Sequence, residues 1–309
     1  MRRLLSLPPL LLAMSMLAFA LVAAAPGDPV VAEAMRQGLA LTPDNEAALR
    51  QALGLDGSLP ERYLRWLGAA LHGDFGLSIA SGRAVHEEIA GHAWATLMLA
   101  LAAFALAVPM ATAAGLAAAV ARSAWAGMAW RLLTVLLVAL PGYWLALIAL
   151  YLAAVHWGIA QVVSDGELRQ LWLPALVLAL GLAAPASRLV RERALQVMSE
   201  DPFRLALAQG LPPRQLLLTR VLPGTLVPVV TFWAQGFGAL LGGAVVIEII
   251  FGWPGLGRLV LQSIQERDLP VLQAYLLLMG VVYVAVNLAA DLIAAGLDPR
   301  MRAGLAASP

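Results

Sequence analysis

Six stretches of this chain run for about the length of a membrane crossing without one charged side chain: residues 4–27, 93–121, 132–164, 170–187, 221–247 and 269–290. An apolar helix needs about 20 residues to cross ~30 Å of hydrocarbon. The pattern therefore predicts an all-α integral membrane protein with six transmembrane helices. The stretch 170–187 is the shortest and carries Pro174 and Pro185, so the ends of its helix are the least defined. The first stretch imitates a secretory signal, with Arg2 and Arg3 ahead of the apolar run and Ala23-Ala24-Ala25 behind it. Its apolar run exceeds a signal core of about 7–15 residues and more spans follow, so it reads as a retained first helix.

Two polar interruptions dominate. Residues 28–91 read as a small ordered region after the first helix. Thr42-Pro43-Asp44 has a capping hydroxyl, a proline at the first helical position and an acid in the first turn. Ser58-Leu59-Pro60-Glu61 has capping-box spacing, and Tyr63, Leu64, Trp66, Leu67 and Leu71 follow on a broad apolar face. That face suits the bilayer surface or neighbouring helices.

The second interruption, 188–220, carries six arginines. Helical spacing puts Leu189, Leu195, Val197 and Met198 on an apolar side with arginines between them. Ser199-Glu200-Asp201-Pro202 then starts a second short helix, with proline in its first turn and acids at the positive end of its dipole. That helix presents Phe203, Ala206 and Leu207 and stops at Gly210, which can take positive φ. Pro212-Pro213 starts a third helix carrying Leu216, Leu217 and Leu218. An ordinary basic loop held to anionic headgroups would look much like this. The small residues Ala206, Ala208 and Gly210 around an apolar helix also fit a knob that docks in a partner's groove.

Charge sets the orientation, because arginine asymmetry in short loops decides which side faces the cytoplasm. With the N-terminus inside, twelve arginines fall on inner segments and eight on outer ones, five of the eight in the long 28–91 region. Both termini are expected in the cytoplasm, with 28–91 outside and 188–220 inside.

Composition then excludes much. The 309 residues are 61% hydrophobic and 13% charged, with mean hydropathy +0.81, against about 25% charged in a soluble domain. There is no cysteine, which removes disulfides, thiolate metal sites and cysteine nucleophiles. All 20 basic residues are arginine, and a nucleotide-binding P-loop needs its lysine. Any ATP used is hydrolysed by another polypeptide. An intramembrane enzyme would need a base beside a nucleophile, yet the spans offer hydroxyls such as Ser6, Ser15, Thr96, Thr112, Thr134 and Thr231 with no paired histidine. An ion-coupled secondary transporter would want mid-membrane charged relays and internal repeats, and neither is evident. His72, His86, His92 and His156 show no metal-ligand spacing.

The stretch DPFRLALAQGLPPRQLLLTRVLPGTLVP, residues 201–228, resembles the cytoplasmic loop motif of ABC importer permeases: EAA, three residues, G, nine residues, I, one residue, LP. Ala206, Gly210, Leu222 and Pro223 match it. Arg204 stands where the general motif has Glu, and Arg220 where it has Ile. An arginine at the first position resembles the oligopeptide/dipeptide/nickel branch, where the stretch commonly reads RTARAKGL. The resemblance extends along the chain, through Pro26-Gly27-Asp28-Pro29, Gly73-Asp74-Phe75-Gly76-Leu77-Ser78, 248–258 (EIIFGWPGLGR), Asn287-Leu288-Ala289-Ala290-Asp291 and Asp298-Pro299-Arg300-Met301-Arg302.

The resemblance implies a type I ABC importer fold in the bacterial inner membrane. It divides the chain into a first helix (1–27), an external region (28–91), a five-helix permease core (92–297, with coupling loop 188–225) and a cytoplasmic tail (298–309). Two such permeases, usually non-identical, would pair around a path. Two cytoplasmic ATPases would hold the ATP and Mg and push on coupling helices, and an external binding protein would deliver the solute. This chain itself would bind no cofactor, metal or nucleic acid. The coupling residues would be Asp201, Phe203, Arg204, Ala206, Gly210, Leu222 and Pro223. The solute would be a dipeptide or longer peptide, or alternatively nickel, a metal chelate or an opine.

Polar groups inside spans are costly unless used or paired. Gln235 and Glu248 on the fifth span are therefore candidates for the path, with Asn287 and Asp291 on the sixth; a plain structural role is open for each. Gly236, Gly238, Gly242 and Gly243 would let another helix approach closely, placing the fifth span at the subunit interface.

Overall fold

In a computed structural model, which describes residues 2–24, 28–121, 123–161, 164 and 166–297, the protein is all-helical apart from one isolated β-bridge between Leu77 and Ala84. Arg122, Pro26-Gly27 and residues 298–302 lie outside the described residues, as does the side chain of Asp291. Helices α1 (Arg2–Ala23), α2 (Pro29–Gln37), α3 (Pro43–Ala52) and α4 (Leu59–Leu71) precede the long α5 (Val85–Val120). Then come α6 (Ala124–Ala139), α7 (Gly142–Leu150), α8 (Trp172–Ser199), and the short α9 (Asp201–Ala208) and α10 (Pro213–Leu216). Helices α11 (Leu222–Phe251), α12 (Leu256–Glu266) and α13 (Leu269–Leu297) follow.

Among the described residues, four helices are long and apolar enough to cross a membrane, in α5, α8, α11 and α13. The stretch 132–164 is not the single straight helix its composition predicts. Residues 132–139 end α6, and 142–156 form α7 and the π-helical turn Tyr151–His156 that continues it. Ala124–Ala139 and Gly142–His156 meet at a 102° bend and count as a fifth crossing if the pair is one span. The break falls at Leu140-Pro141, both extended, with ψ of 128° and 140°. Proline removes the amide that would continue the helix and pushes the preceding residue out of helical geometry. The apolar part of α1 is the shorter Pro8–Ala23.

The chain divides into two compact units, Met1–Ala95 with Gly255–Val284 and Thr96–Pro254 with Ala285–Pro309. In the first, the predicted caps form. Thr42 accepts the Asn45 amide at 3.4 Å, and the Ser58 amide donates to Glu61 Oε2 at 2.9 Å. That bond holds the Glu61 carboxyl below its usual range. Asp28 caps α2 through the Val30 amide and pairs with Arg50, which also holds Glu46; the Glu46 bond and the charge of Asp28 raise the Arg50 pKa. Beneath them Val30, Ala34 and Leu49 form a small core. Helix α4 lays Tyr63 and Trp66 against Phe19 of α1, with ring centroids 5.5 and 5.9 Å apart. The Tyr63 hydroxyl lies 2.8 Å from Ser15 Oγ. Leu64 and Leu71 of the predicted apolar face remain exposed.

In the second unit α8 is the central helix. Of its apolar window 67% is buried within the chain, against 28, 39 and 22% for the other long helices. Its crossing with α5 depends on Gly115, where a Cβ would stand 2.6 Å from the Ser187 carbonyl oxygen. Alanines 100, 103, 107 and 111 are likewise buried, at helical spacing along α5. Helices α8 and α11 run antiparallel, since Gly224, Gly236 and Gly243 of α11 meet Val197, Leu182 and Leu178 of α8 in reverse order. Small residues let the two backbones close, which is how helices associate where no hydrophobic gain separates lipid from leucine.

Candidate functional site

The 188–220 segment lies within the second unit, beginning as a continuation of α8 and leading into the start of α11. Helix α8 runs through Pro185 to Ser199 without a break. Its inward side there is Val190 and Ala194, with Val197 against Gly224, while Leu195 is substantially exposed. The sequence pattern therefore misplaced the face by including Leu195. Glu200 is extended, and its carbonyl accepts the amides of Phe203 and Arg204 at 3.1 and 3.2 Å to start α9.

The end of α9 is a Schellman turn. The Leu211 amide donates to the Ala206 carbonyl at 3.2 Å and the Gly210 amide to Leu207 at 3.0 Å, with Gly210 at φ 85°. Both bonds need the left-handed residue. Ala206 is buried, Phe203 half-buried, and Asp201 and Arg204 exposed. Leucines instead stand exposed around the helix, Leu205 at 62%, Leu207 at 48% and Leu211 at 36%; of these the sequence singles out Leu207 but not Leu205 or Leu211. Pro212-Pro213 does start a helix, but α10 lasts one turn and passes through a π-helical turn, Leu217–Val221, into α11. Leu216 and Val221 are buried and anchor this return, with Leu222 half-buried and Pro223 exposed at the first turn of α11. The result is a short helix with three exposed leucines, tied at its base to two membrane helices.

On α11 the candidate path residues separate. Gln235, Ala239, Gly242, Val246 and Ile249 form one exposed stripe at helical spacing. Gly238 instead faces Val286 of α13, where a Cβ would meet it at 3.3 Å, and Gly243 approaches Leu178. Glu248 is fully buried inside its own chain, and Asn287 is half-buried. Gly236 and Gly238 are thus spent on packing within the chain, while Gln235, Gly242 and Gly243 are the exposed members.

One buried acid escaped the sequence reading. Asp268, 1% exposed, accepts the hydroxyl of Ser78, the amides of Ile79 and Ala80 at 3.2 and 3.3 Å, and that of Val271 at 3.5 Å. It caps α13 and fastens the 78–80 turn to it, while Phe75 packs on a core of Val85, Leu256, Leu259, Val271 and Ala274. The signal was present as Asp268-Leu269-Pro270, an acid and a proline at a helix start. Among the described residues, no three side chains of His, Cys, Asp or Glu gather where a metal could sit. His72 and His92 each lie 2.8 Å from a carbonyl of their own helix.

Comparison with known proteins places this architecture. Residues 111–303 match the family of binding-protein-dependent transport system inner membrane components, and residues 1–100 match the N-terminal region of such membrane components. The chain is 37% identical over 306 residues to the glutathione transport system permease protein GsiC of Salmonella paratyphi A, covering 98% of each chain. It is 36% identical over 305 residues to the protein of the same name in Escherichia coli K12, covering 97% of each.

Proposed function

Since the chain belongs to the binding-protein-dependent transport system inner membrane components, and is thus an ABC transporter permease subunit of the bacterial inner membrane, we propose that it forms one half of the path by which a small peptide-like solute is imported. The glutathione named for its relatives is itself a small peptide. In this reading α1 is the first of six spans, both termini are cytoplasmic, and α9 docks in a groove of an ATPase subunit. Two such ATPases supply the ATP hydrolysis, a second permease completes the path, and an external binding protein hands over the solute.

The observation that carries the reading is the form of α9. A docking helix must be short and rigidly tethered, and must offer apolar surface that its own chain leaves uncovered. Leu205, Leu207 and Leu211 supply the surface, and the Schellman turn at Gly210 with buried Leu216 and Val221 supplies the tether. The exposed stripe of α11 through Gln235 and Gly242 is the face assigned to the path or to the second permease.

The test is ATP-driven uptake of glutathione and dipeptides by the assembled transporter in proteoliposomes. A Gly210→Asp variant puts a side chain on a residue at φ 85°, which strains any L-residue. It should still reach the membrane and assemble, yet lose most uptake while ATP hydrolysis no longer responds to the loaded binding protein. Normal uptake by this variant would remove α9 from the coupling role.

A further inference from the structure

Beside the base of α9, helices α6 and α8 enclose an open groove of about 520 Å³ lined by Trp130, Arg131, Arg188, Arg191, Glu192 and Ser199, among others. Three arginines meet there with one exposed carboxylate, Glu192. Arg191 is already held: its guanidinium lies 5.3 Å from the centre of the Trp130 ring and its Nε donates to the Ala118 carbonyl at 3.3 Å. Arg131 and Arg188 are exposed and form no ion pair among the described residues. The Trp130 indole N–H is buried with no hydrogen-bond partner among the described residues. The exposed guanidiniums of Arg131 and Arg188 thus give the groove unspent donors and a net positive charge, the chemistry that takes a phosphate-bearing anion.

Its surroundings choose between sources of that anion. Beyond Arg131, α6 carries no charge, and Leu132, Leu133, Val135 and Leu136 stand about half exposed. Trp125, 85% exposed, sits one turn or more on the other side. Tryptophan and arginine at the boundary of an exposed apolar stretch, here Trp130 and Arg131 ahead of residues 132–139, mark the headgroup level of a bilayer. A soluble anion would make no use of the leucine face, whereas a phospholipid would lay its acyl chains along it.

We propose that this groove is a binding site for an acidic phospholipid headgroup, which clips α6 to the last turns of α8 and so steadies the base of α9. The basic character of 188–220 then has two separate meanings. Arg188 and Arg191 belong to a lipid site completed by Arg131, while Arg214 and Arg220 lie outside it. The inference needs the chain to span a membrane, and it does not depend on the solute or on the ATPase contact.

The experiment measures lipid retained by the full-length chain, taken from nanodiscs containing phosphatidylglycerol and phosphatidylcholine, by native mass spectrometry. The wild type should retain phosphatidylglycerol in preference. An arginine beside an anionic surface contributes about fivefold in affinity, so Arg131→Gln with Arg188→Gln should lower retention on the order of 25-fold. Arg131→Lys with Arg188→Lys should preserve it, which also shows that the fold tolerates change at these exposed positions. Arg214→Gln with Arg220→Gln should leave it intact. Retention unchanged in the glutamine pair would overturn the site. An equal loss from the Arg214/Arg220 pair would overturn it in favour of diffuse adhesion, and displacement by inorganic phosphate would overturn the lipid in favour of a soluble anion.

Discussion

At the scale of single residues, two glycines show how the same substitution can be costly or nearly silent. A Cβ on Gly115 would lie 2.6 Å from the Ser187 carbonyl oxygen and 2.7 Å from Val190 Cβ. Neither neighbour can rotate away, because one is backbone and the other is the root of a β-branched side chain. On Gly236 the nearest atom, also at 2.7 Å, is the terminal Leu182 Cδ1, which a rotamer change can move. Forcing extra volume into a packed contact costs about 1–3 kcal/mol, and alanine recovers roughly 1 kcal/mol of helix propensity over glycine. Gly115→Ala should therefore lower the melting temperature of the detergent-solubilised protein clearly, while Gly236→Ala should stay close to wild type. Equal shifts in thermal unfolding would show that the α5–α8 and α8–α11 contacts are equally tight, contrary to this geometry.

At the scale of elements, the local signals in the sequence were reliable and the long-range ones were not. The cap at Thr42, the Glu61 bond to the Ser58 amide and the positive φ of Gly210 each involve residues within a few positions of one another, and the structure has all three. Asp268 went unnoticed because its partner Ser78 lies 190 positions away, and no periodicity connects them. The bend at Pro141 was hidden for the opposite reason: apolarity continues through it, and hydrophobic windows carry no record of direction. On α9, spacing identified the helix, but which leucines face outward depends on how Ala206 and Phe203 turn toward the rest of the chain. The capping bond of α4 yields a pH prediction. Glu61 is held below its ordinary value of 4.5, chiefly by the Ser58 amide. A carboxylate with a lowered folded pKa stabilises above its unfolded pKa and loses that contribution as pH falls through the folded one. Protection of the 28–91 region from proteolysis should therefore weaken below about pH 4.5, and Glu61→Gln should flatten that dependence without changing the dependence contributed by other groups. A wild-type profile that Glu61→Gln leaves unaltered would refute the assignment.

At the scale of the whole molecule, the reading stands on which side of the membrane each segment occupies. If α9 is to meet an ATPase, Leu205 and Leu211 must face the cytoplasm, and the aromatic contact of α4 with α1 must lie outside. The arginine distribution argues for that arrangement, since it would place twelve of the 20 arginines on the cytoplasmic side, the bias expected of short inner loops. The chain also lends itself to a direct measurement, because it contains no cysteine and any thiol introduced is the only one present. Leu71 is 78% exposed at the end of α4 and Leu205 62% exposed on α9, so replacing either should disturb little packing. In intact cells, Leu71→Cys should react with a membrane-impermeant maleimide once the outer membrane is opened, and Leu205→Cys should react only after the inner membrane is permeabilised. ATPase subunits bound to the complex should then shield Leu205→Cys and leave Leu71→Cys unaffected. Labelling of Leu205→Cys in sealed cells would invert the topology and place α9 where no ATPase could reach it. Correct sidedness without shielding would keep the topology and reject α9 as the contact.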